Sequence, residues 1–202
     1  MRNAKRALKY LVFGIAVVAV SPAILLVRIE GLPGRSEGVF TFFAQLMALI
    51  PGKPGTYLRA AFYFGTLARS SWEIDLGFGS LCMHRKCHLE ANVSTGNYCV
   101  LGHVALERNV RLASRVSIPS GKRQHLDPEG NLSADTFYEQ VTIGHDSWIG
   151  EGAIILADVG NGCIVSAGAV VVHPVPAMSI AGGNPAKVLR SLAADAAHCA
   201  VS

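Results

Sequence analysis

Seven histidines and five cysteines are the side chains of this 202-residue chain best suited to chemistry near neutral pH. The cysteines are Cys82, Cys87, Cys99, Cys163 and Cys199. They contain no Cys-x-x-Cys pair, so neither a zinc ribbon nor a disulfide framework is indicated, and a reducing compartment is expected. Among the histidines, His125 stands out because it lies in a polar stretch, Ser120–Pro128, that interrupts a regular repeat.

The repeat has a period of six residues and supplies the scaffold that would position these side chains. Its inward, mostly aliphatic positions are Leu76, Cys82, His88, Ser94, Val100, Leu106, Leu112, Ile118, Ile143, Ile149, Ile155, Val165 and Val171, with a two-residue contraction before Val165. Small or β-branched residues precede many of them by two, at Ser80, Val104, Val110, Val116, Val141, Ser147, Ala153, Cys163 and Ala169. Such a period predicts one short strand and one turn per hexad and one triangular coil per three hexads, so about thirteen hexads give roughly four coils. A β-sandwich would instead show two-residue alternation.

The frame is poor between residues 82 and 98. His88 and Ser94 are unusual at inward positions, and Lys86 and Asn92 stand where small residues belong. Either the first coil is irregular or the register shifts there.

The repeat stops between Ile118 and Ile143, where the intervening chain is not a whole number of hexads. We therefore expect a loop extruded from the scaffold over residues 119–141. Loops on rigid scaffolds are frequent sites of catalytic residues, and this one carries His125.

The first part of the chain is apolar and basic. Residues 1–69 carry nine Lys/Arg and two acids, a local charge of +7, whereas residues 70–202 carry nine and twelve, a local charge of −3. Leu8–Val27 is almost continuously apolar, and twenty helical residues at ~1.5 Å each reach about 30 Å, the thickness of a bilayer core. This distribution favours an anionic membrane surface over nucleic acid as the partner.

Two alternatives to membrane attachment are disfavoured. The apolar run is longer than the roughly 7–15 residues of a signal peptide, and no small-x-small cleavage site follows it. A buried helix of a soluble domain does not explain the preceding basic residues, Arg2, Lys5, Arg6 and Lys9. By the positive-inside rule these residues place the N-terminus in the cytoplasm.

Whether the front end spans the membrane or re-enters it stays open. Ser21-Pro22 interrupts the long run, since proline removes a backbone donor and serine can bond a freed carbonyl. The second apolar run, Val39–Ile50, is too short to span, and Tyr57–Phe64 has the aromatic and basic character of a helix lying in the interface. A hairpin that returns to the same side would keep the repeat domain cytoplasmic as well.

Composition indicates a folded chain and the pattern predicts its layout. Half of the residues are hydrophobic and 16% are charged, which excludes a disordered chain, and the glycines and prolines are too scattered for collagen. We expect a membrane-associating helical region over residues 1–69, a β-helix over 70–190 and a C-terminal tail over 191–202.

The late part of the repeat resembles the hexapeptide-repeat acyltransferases. The resemblance rests on the stretches Ile143–Ile155 and Val165–Val171, and on Ala181–Arg190 with its Gly-Gly-Asn-Pro-Ala-Lys sequence. Galactoside, maltose, nodulation-factor, xenobiotic and exopolysaccharide acetyltransferases share this pattern. It implies a left-handed parallel β-helix, a homotrimer, and transfer of an acetyl group from acetyl-CoA to a hydroxyl.

The resemblance also implies a catalytic residue. His125 matches the histidine of the family's extended loop, and a neutral imidazole with a pKa near ~6.5 can remove the acceptor's proton as attack develops. Asp127, Glu129 or a backbone carbonyl could orient its second ring nitrogen. Asp127 is also a candidate for acceptor binding, as are Asn97 and His103, which lie in coils that line the acceptor cleft in the family. For Asn97 and His103 the alternative is a surface residue without a role in binding.

For the donor, the resemblance points to late hexads. Gly150 and Ala167 match positions where small residues leave the backbone open to the pantetheine arm, and Trp148 matches an aromatic beside the thioester. Lys187 and Arg190 match a basic pair near the CoA phosphates. Glu151 and His173 depart from the family pattern, which bears on the phosphate contacts only.

A metal site is not expected. The γ-type carbonic anhydrases share this β-helix and bind zinc through three histidines, but they carry a His-x4-His pair that this chain lacks. His84 and His88 would point in different directions on hexad strands, and His103 and His145 lie elsewhere in the repeat.

Together these features predict an O-acetyltransferase at the bacterial inner membrane with a cytoplasmic catalytic domain. Its acceptor would be a sugar hydroxyl of a lipid-linked or nascent surface polysaccharide. The alternatives are an acetyltransferase for a small soluble acceptor, such as an antibiotic or serine, and a noncatalytic trimeric scaffold.

Overall fold

The computed structural model describes residues 2–32, 36–121, 124–127, 129–133 and 137–193, with side chains from residue 7 onward. The helices are α1 (Arg2–Glu30), α2 (Gly38–Ala48) and α3 (Gly52–Thr66). The strands are β1 (Arg69–Ser70), β2 (Leu81–Cys82), β3 (His88–Leu89), β4 (Ser94–Thr95), β5 (Val100–Leu101), β6 (Val104–Leu106), β7 (Arg111–Leu112), β8 (Ser117–Ile118), β9 (Val141–Ile143), β10 (Trp148–Ile149), β11 (Ile154–Ile155), β12 (Ile164–Val165), β13 (Val170–Val171), β14 (Ser179–Gly183) and β15 (Ala186–Ser191). Cys199 and the predicted tail from residue 194 onward lie outside the described residues.

The strands form three sheets that make the three faces of a parallel β-helix. Sheet A has the order β1-β3-β6-β9, sheet B the order β15-β14-β12-β10-β7-β4, and sheet C the order β13-β11-β8-β5-β2. Successive strands from β2 to β11 pass from C to A to B in turn, so the chain turns a corner after each strand, as predicted. Only β15 pairs antiparallel among the described strands, and it lies at the edge of sheet B. Sheet C has five strands, one more than the roughly four coils predicted.

The register of the first coils corrects the predicted frame. The inward residues are Leu89, Thr95 and Leu101, each one position later than the predicted His88, Ser94 and Val100. The small buried positions before them are Cys87, Val93 and Cys99 rather than Lys86 and Asn92. The corner before β3 holds one additional residue and the corner before β6 one fewer, so the predicted frame resumes at Leu106. Burial of aliphatic area at about 25 cal/mol per Å² favours this register, because it buries a leucine instead of His88.

From Leu106 onward the predicted frame is confirmed. The inward residues are at most 4% exposed, namely Leu106, Leu112, Ile118, Ile143, Ile149, Ile155, Val165 and Val171. The two-residue contraction is also confirmed, because Ile149 pairs with Val165 in the next coil, sixteen positions on instead of eighteen. Val159, in the shortened corner, bridges Ile143 on sheet A.

Helix α1 runs unbroken through Pro22. The hydroxyl of Ser21 donates a 2.8 Å hydrogen bond to the carbonyl of Val18, the group that Pro22 leaves without an amide partner. One helical segment, Ala7–Glu30, is long and apolar enough to cross a membrane among the described residues, whereas α2 is shorter. The helix therefore continues through Ser21-Pro22 instead of breaking there, because the Ser21 hydroxyl replaces the missing amide donor.

Helix α3 packs into the protein, which corrects the expectation of a helix lying in a membrane interface. Ala61, Phe62 and Tyr63 are fully buried, and the Tyr63 hydroxyl accepts a 3.0 Å hydrogen bond from the N–H of Cys82. The aromatic residues that suggested an interfacial helix thus fill the junction between α2, α3 and the first coil. Burying aromatic rings against protein contributes more than leaving them at a surface.

Arg59 ties the helices to the β-helix. Its guanidinium is 1% exposed and donates to the carbonyls of Leu76 (3.0 Å), Met47 (3.0 Å) and Ile50 (2.8 Å). Met47 lies in the last turn of α2 and Ile50 just beyond its end, so Arg59 donates to carbonyls at a helix C-terminus, where intrahelical donors run out. Helix α1 packs alongside α3, where Phe13 meets Phe64 edge to face at 5.7 Å.

Candidate functional site

The extruded loop follows β8 and returns to β9, at the corner between sheets C and A. Within it, residues 124–127 and 129–133 form a small hairpin, with an antiparallel bridge between Leu126 and Leu132. His125 lies on the first arm, where its carbonyl accepts a 2.9 Å hydrogen bond from the N–H of Ser133. Its side chain is exposed. The backbone of His125 is held in place while its imidazole stays accessible to a reactant.

Asp127 stabilises the turn of this hairpin. Its carboxylate accepts a 2.7 Å hydrogen bond from the N–H of Asn131 and a weaker one from the Asn131 amide. The backbone hydrogen bond from Asn131 is the main cause that lowers the pKa of Asp127. The bonds described for Asp127 lie within the turn, and none joins it to His125. Its expected role in orienting His125 or binding an acceptor therefore competes with a structural one.

The base of the loop is anchored by Ser120, which is 2% exposed. The Ser120 hydroxyl accepts a 2.7 Å hydrogen bond from the N–H of His103, and its carbonyl accepts one of 3.2 Å from the N–H of Glu139. The ring Nδ1 of His103 lies 3.2 Å from the carbonyl of Tyr138. His103 is thus placed beside the loop, and its role in binding an acceptor stays a prediction.

His103 and Tyr138 also line a cavity of about 790 Å³ between the loop base and the start of α2. On its wall Glu37 lies 2.8 Å from Nδ1 of His84 and accepts a 3.0 Å hydrogen bond from the N–H of Arg85. Sequence reasoning did not assign a role to Glu37, because no motif marks a carboxylate whose partners lie far along the chain.

Asn97 lies apart from the loop. It occupies the corner between sheets B and C, and its side-chain oxygen accepts a 3.0 Å hydrogen bond from the N–H of Phe78 in the preceding coil. His103 lies at the corner between sheets C and A. The structure does not bring these two candidate acceptor residues together within one chain.

The candidate donor residues lie on sheet B or just after its strands. Trp148 starts β10 and is 53% exposed; Gly150 and Ala167 follow β10 and β12. Trp148 pairs with Ile164, Ile164 with Ile180, and Ile180 with Arg190, so Trp148 and Arg190 stand in one row across four strands. At ~4.8 Å between strands this row is about 14 Å long. Lys187 is exposed on β15 beside Gly182.

Gly150 also has a structural reason to be glycine. A Cβ atom at Gly150 would lie 2.5 Å from the amide nitrogen of Ala167 in the next coil. Any side chain there would push the two coils apart. Its small size therefore does not by itself indicate donor binding. Glu151, one of the departures from the family pattern, forms an ion pair with Arg115.

A second cavity, which we call the helix cleft, lies where α1 and α3 meet sheet B. It has a volume of about 740 Å³ and is lined by basic, aromatic and polar residues that include Lys9, Lys53, Tyr57, Trp72, Arg111 and Trp148. The Lys9 ammonium lies 4.8 Å from the centre of the Trp72 ring, and Lys53 lies 3.4 Å from Asp75. Except for Trp148, sequence reasoning missed these residues, because three elements distant in sequence build the cleft.

The other histidines and the cysteines that the structure describes are not gathered into a cluster. Within the described residues, no group of three His, Cys, Asp or Glu side chains is placed to hold a metal ion. His145 lies 2.7 Å from Asp146. The cysteines described by the structure are buried and unpaired, namely Cys82, Cys87, Cys99 and Cys163.

Comparison of the sequence with known proteins finds acetyltransferases. No family model matches the chain. It is 30% identical over 117 residues to the "Putative acetyltransferase YJL218W" of Saccharomyces cerevisiae, covering 52% of this chain and 59% of that protein. It is 30% identical over 112 residues to the "Putative lipopolysaccharide biosynthesis O-acetyl transferase WbbJ" of Escherichia coli, covering 49% and 57%. The chain thus spans about half the length of the curated relatives it matches.

Comparison with solved structures identifies the fold. A maltose O-acetyltransferase from Clostridium difficile superposes with a TM-score of 0.67 at 21% identity, over 76% of this chain and 84% of that one. A hexapeptide-repeat acetyltransferase from Vibrio cholerae superposes with a TM-score of 0.62 at 19% identity, over 79% and 94%. These matches confirm the predicted left-handed parallel β-helix. The chain is therefore related in sequence to acetyltransferases and has the fold of the hexapeptide-repeat acetyltransferases.

Proposed function

We propose that this protein is a membrane-attached O-acetyltransferase that moves an acetyl group from acetyl-CoA to a sugar hydroxyl. The observation that carries the proposal is the accessible His125 on a loop extruded from a hexapeptide-repeat β-helix, in a chain whose sequence relatives are named as acetyltransferases. The acceptor class is supported by the names of two proteins that resemble it, one in lipopolysaccharide biosynthesis and one a maltose O-acetyltransferase.

In this proposal His125 acts as general base. Its neutral imidazole takes the proton of the acceptor hydroxyl while the hydroxyl oxygen bonds to the carbonyl carbon of the thioester. The carbon–sulfur bond then breaks, and the imidazolium returns the proton to the departing thiolate. No protein nucleophile is needed when acceptor and thioester are bound side by side. Sheet B supplies the donor surface, with Trp148 at the thioester end and Lys187 and Arg190 toward the phosphates.

The geometry of one chain favours a site shared between protomers. The loop leaves the corner between sheets C and A, which lies opposite sheet B in a three-sided helix. The base of the loop that carries His125 and the sheet that carries Trp148 therefore lie on opposite sides of the scaffold of one chain. A cyclic homotrimer would place the loop of one protomer on sheet B of the next, with three equivalent sites.

The exposed face of α1 supports attachment to a membrane. One side of α1 is buried against the protein, through Ala16, Val20, Ala23 and Val27. The other side is an exposed apolar strip made of Leu8, Leu11, Ile15, Val18, Leu25, Leu26 and Ile29. An apolar patch of this kind on a soluble surface would be a liability, and against lipid it is favourable.

The packing of α1 argues against a span. Tyr10 contacts Trp72 with ring centres 4.7 Å apart, and Arg28 donates a 2.8 Å hydrogen bond to the carbonyl of Gly65. These contacts are eighteen residues apart, or about 27 Å along the helix. A span would pull α3 and the first coil into the bilayer. We infer that α1 lies on the membrane with its exposed face inward and that N-terminus and β-helix share the cytoplasmic side.

Two measurements test this proposal. Membranes containing the protein are incubated with [14C]acetyl-CoA, and label is expected in the lipid-linked sugar fraction; label only in acetate or in a water-soluble acceptor would contradict the acceptor assigned.

For topology, a cysteine introduced at Asn131 is treated with an impermeant reagent. Labelling only after lysis is expected, and labelling in intact cells would overturn the cytoplasmic placement.

A further inference from the structure

An apolar groove lies on α1 directly beside the helix cleft. This α1 groove has a volume of about 570 Å³ and is lined by Tyr10, Leu11, Gly14, Ile15, Val18 and Ala19. Gly14 forms its floor, and a Cβ atom built there has no described atom within 4 Å apart from its own helix backbone and chain neighbours. A glycine in a helix interior is less favourable than alanine, and no packing contact among the described residues accounts for it here. The notch it leaves lies on the exposed apolar face of α1.

The groove and the cleft meet at an aromatic pair. The Tyr10 ring, which lines the groove, packs 4.7 Å from the Trp72 ring, which lines the cleft. Lys9 lies over the same Trp72 ring from the cleft side. Two successive residues of α1 therefore line different surfaces: Lys9 lines the polar cleft and Tyr10 lines the apolar groove. This arrangement fits one ligand that has an apolar chain and a polar head.

The charges in the cleft fit a sugar phosphate head. Of its three carboxylates, Asp75 pairs with Lys53, and Asp146 accepts a 2.7 Å hydrogen bond from Asn109. Within the described residues no carboxylate forms an ion pair with the two remaining cations of the cleft, Lys9 and Arg111.

A phosphate would satisfy these two cations. Glu73, Asn92 and Ser94, which also line the cleft, offer hydrogen-bond partners for hydroxyl groups, and the aromatic rings offer apolar faces. The head would then lie next to Trp148, at the thioester end of the proposed donor surface.

We propose that the α1 groove and the helix cleft together bind an amphiphilic acceptor, a single hydrocarbon chain joined through a phosphate to a sugar. The chain lies along Gly14 in the groove, the phosphate lies between Lys9 and Arg111, and the sugar reaches Trp148. The role of this ligand as acceptor rests on the proposed acetyl transfer, but its binding does not require acetyl-CoA. It assigns the apolar face of α1 a role in substrate capture as well as in attachment.

The test uses the full chain in phosphatidylcholine nanodiscs, without acetyl-CoA. The probe is glucose joined by a phosphodiester to farnesol, with a photoreactive diazirine at the end of the chain. After irradiation and trypsin digestion, the modified residues of the peptide 10–28 are located by mass spectrometry. We expect labelling at Tyr10–Ala19 that an excess of the unlabelled glycolipid abolishes and phosphatidylglycerol does not. Labelling spread evenly to Leu25, Leu26 and Ile29, without protection, would overturn the proposal.

Two tryptophan substitutions separate the groove from the rest of the apolar face. Gly14→Trp places an indole ring in the notch and is expected to weaken protectable labelling about tenfold. Leu26→Trp adds a similar side chain to the same exposed face outside the groove and is expected to leave labelling unchanged. Equal effects of the two variants would contradict binding of the hydrocarbon chain in the α1 groove.

The head is tested by substitution and by competition. Arg111→Gln is expected to weaken binding about tenfold, and Arg115→Gln, on the next turn outside the cleft, to have no comparable effect. Glucose 1-phosphate should compete only weakly, since it lacks the chain. If it competes as well as the glycolipid, the ligand is a soluble sugar phosphate and the amphiphile assignment is wrong. A protein that binds the probe but transfers no acetyl group would refute the proposed function and leave this site standing.

Discussion

The carboxylate of Glu37 lies 2.8 Å from Nδ1 of His84, and this contact joins the start of α2 to the first coil of the β-helix. Glu37 also accepts a 3.0 Å hydrogen bond from the N–H of Arg85, whose guanidinium donates to the carbonyls of Val27 and Ser36. One carboxylate and one guanidinium therefore hold the ends of α1 and α2 on the β-helix.

This contact predicts an acid-sensitive junction. Burial raises the pKa of Glu37, but the hydrogen bonds from His84 and Arg85 outweigh it and hold the pKa below its ordinary value of 4.5. For a carboxyl with a lowered pKa, the stabilisation is present above the ordinary value and is lost as the pH falls through the folded-state value. The difference in unfolding free energy between wild type and Glu37→Gln should therefore shrink as the pH falls from about 5 to about 3. Urea unfolding in detergent measures it, with the exposed Glu129→Gln as control; a difference that does not change with pH would contradict this role.

The corrected register of the first coils predicts opposite effects for two neighbouring residues. Leu101 is fully buried and Val100 is 41% exposed. Leu101→Ala is expected to cost about 2–5 kcal/mol, because it removes packed methyl groups from a core that cannot fully collapse. Val100→Ala is expected to cost less than about 0.5 kcal/mol. Unfolding curves that show the larger loss for Val100→Ala would restore the original six-residue frame.

The burial of Arg59 predicts that the junction between the helices and the β-helix depends on its guanidinium. Arg59→Met keeps the apolar stem but removes the guanidinium donor from the carbonyls of Leu76 and Ile50, whereas the Met47 carbonyl keeps a 3.3 Å hydrogen bond from the N–H of Ile50. Since each unsatisfied buried group costs about 1–3 kcal/mol, a loss of at least about 2 kcal/mol is expected. Arg69→Met, at a side chain 71% exposed and paired with Glu90, should change stability by less than about 1 kcal/mol. Thermal unfolding measures the loss of stability in both variants. Similar losses would show that Arg59 does not hold the junction.

The sequence predicts the coils wherever inward positions are occupied by large aliphatic residues. From Leu106 onward the spacing alone identifies the buried set. It fails at His88 and Ser94 because corners tolerate one residue more or fewer, and the side chain that gains most from burial then decides the register. The role of Ser21 was predictable because its partner carbonyl is three residues away. The burial of Phe62 and Tyr63 was not, since an aromatic stretch suits a membrane interface and a protein junction equally.

Some parts of the candidate site could likewise be predicted from the sequence, and others could not. His125 could be proposed from the interruption of a repeat and from the family resemblance. The helix cleft could not, because Lys9, Trp72 and Arg111 come together only through the packing of α1 on the first coils. The role of Asn97 stays a prediction, because within one chain this residue lies at a corner remote from the loop.

The placement of the loop and sheet B on opposite sides predicts complementation between protomers. His125→Ala and Trp148→Ala are expected to be nearly inactive when each is expressed alone. Mixed trimers of the two variants should recover part of the activity, because some sites combine an intact His125 with an intact Trp148 from another protomer. Mass photometry verifies the trimer. No recovery in verified mixed trimers, or full activity in a monomer, would contradict a shared site.

The most direct test of the central claim is acetyl transfer by the His125→Ala variant. With [14C]acetyl-CoA and membrane acceptor, kcat is expected to fall by ~10²–10⁴, the usual contribution of a general base. The affinity for CoA, measured by calorimetry, should stay within about twofold of wild type, since His125 is not on the donor surface. The control His88→Ala, on β3 away from the loop, should retain normal turnover. Near-normal kcat for His125→Ala would remove this residue from the mechanism and contradict the account.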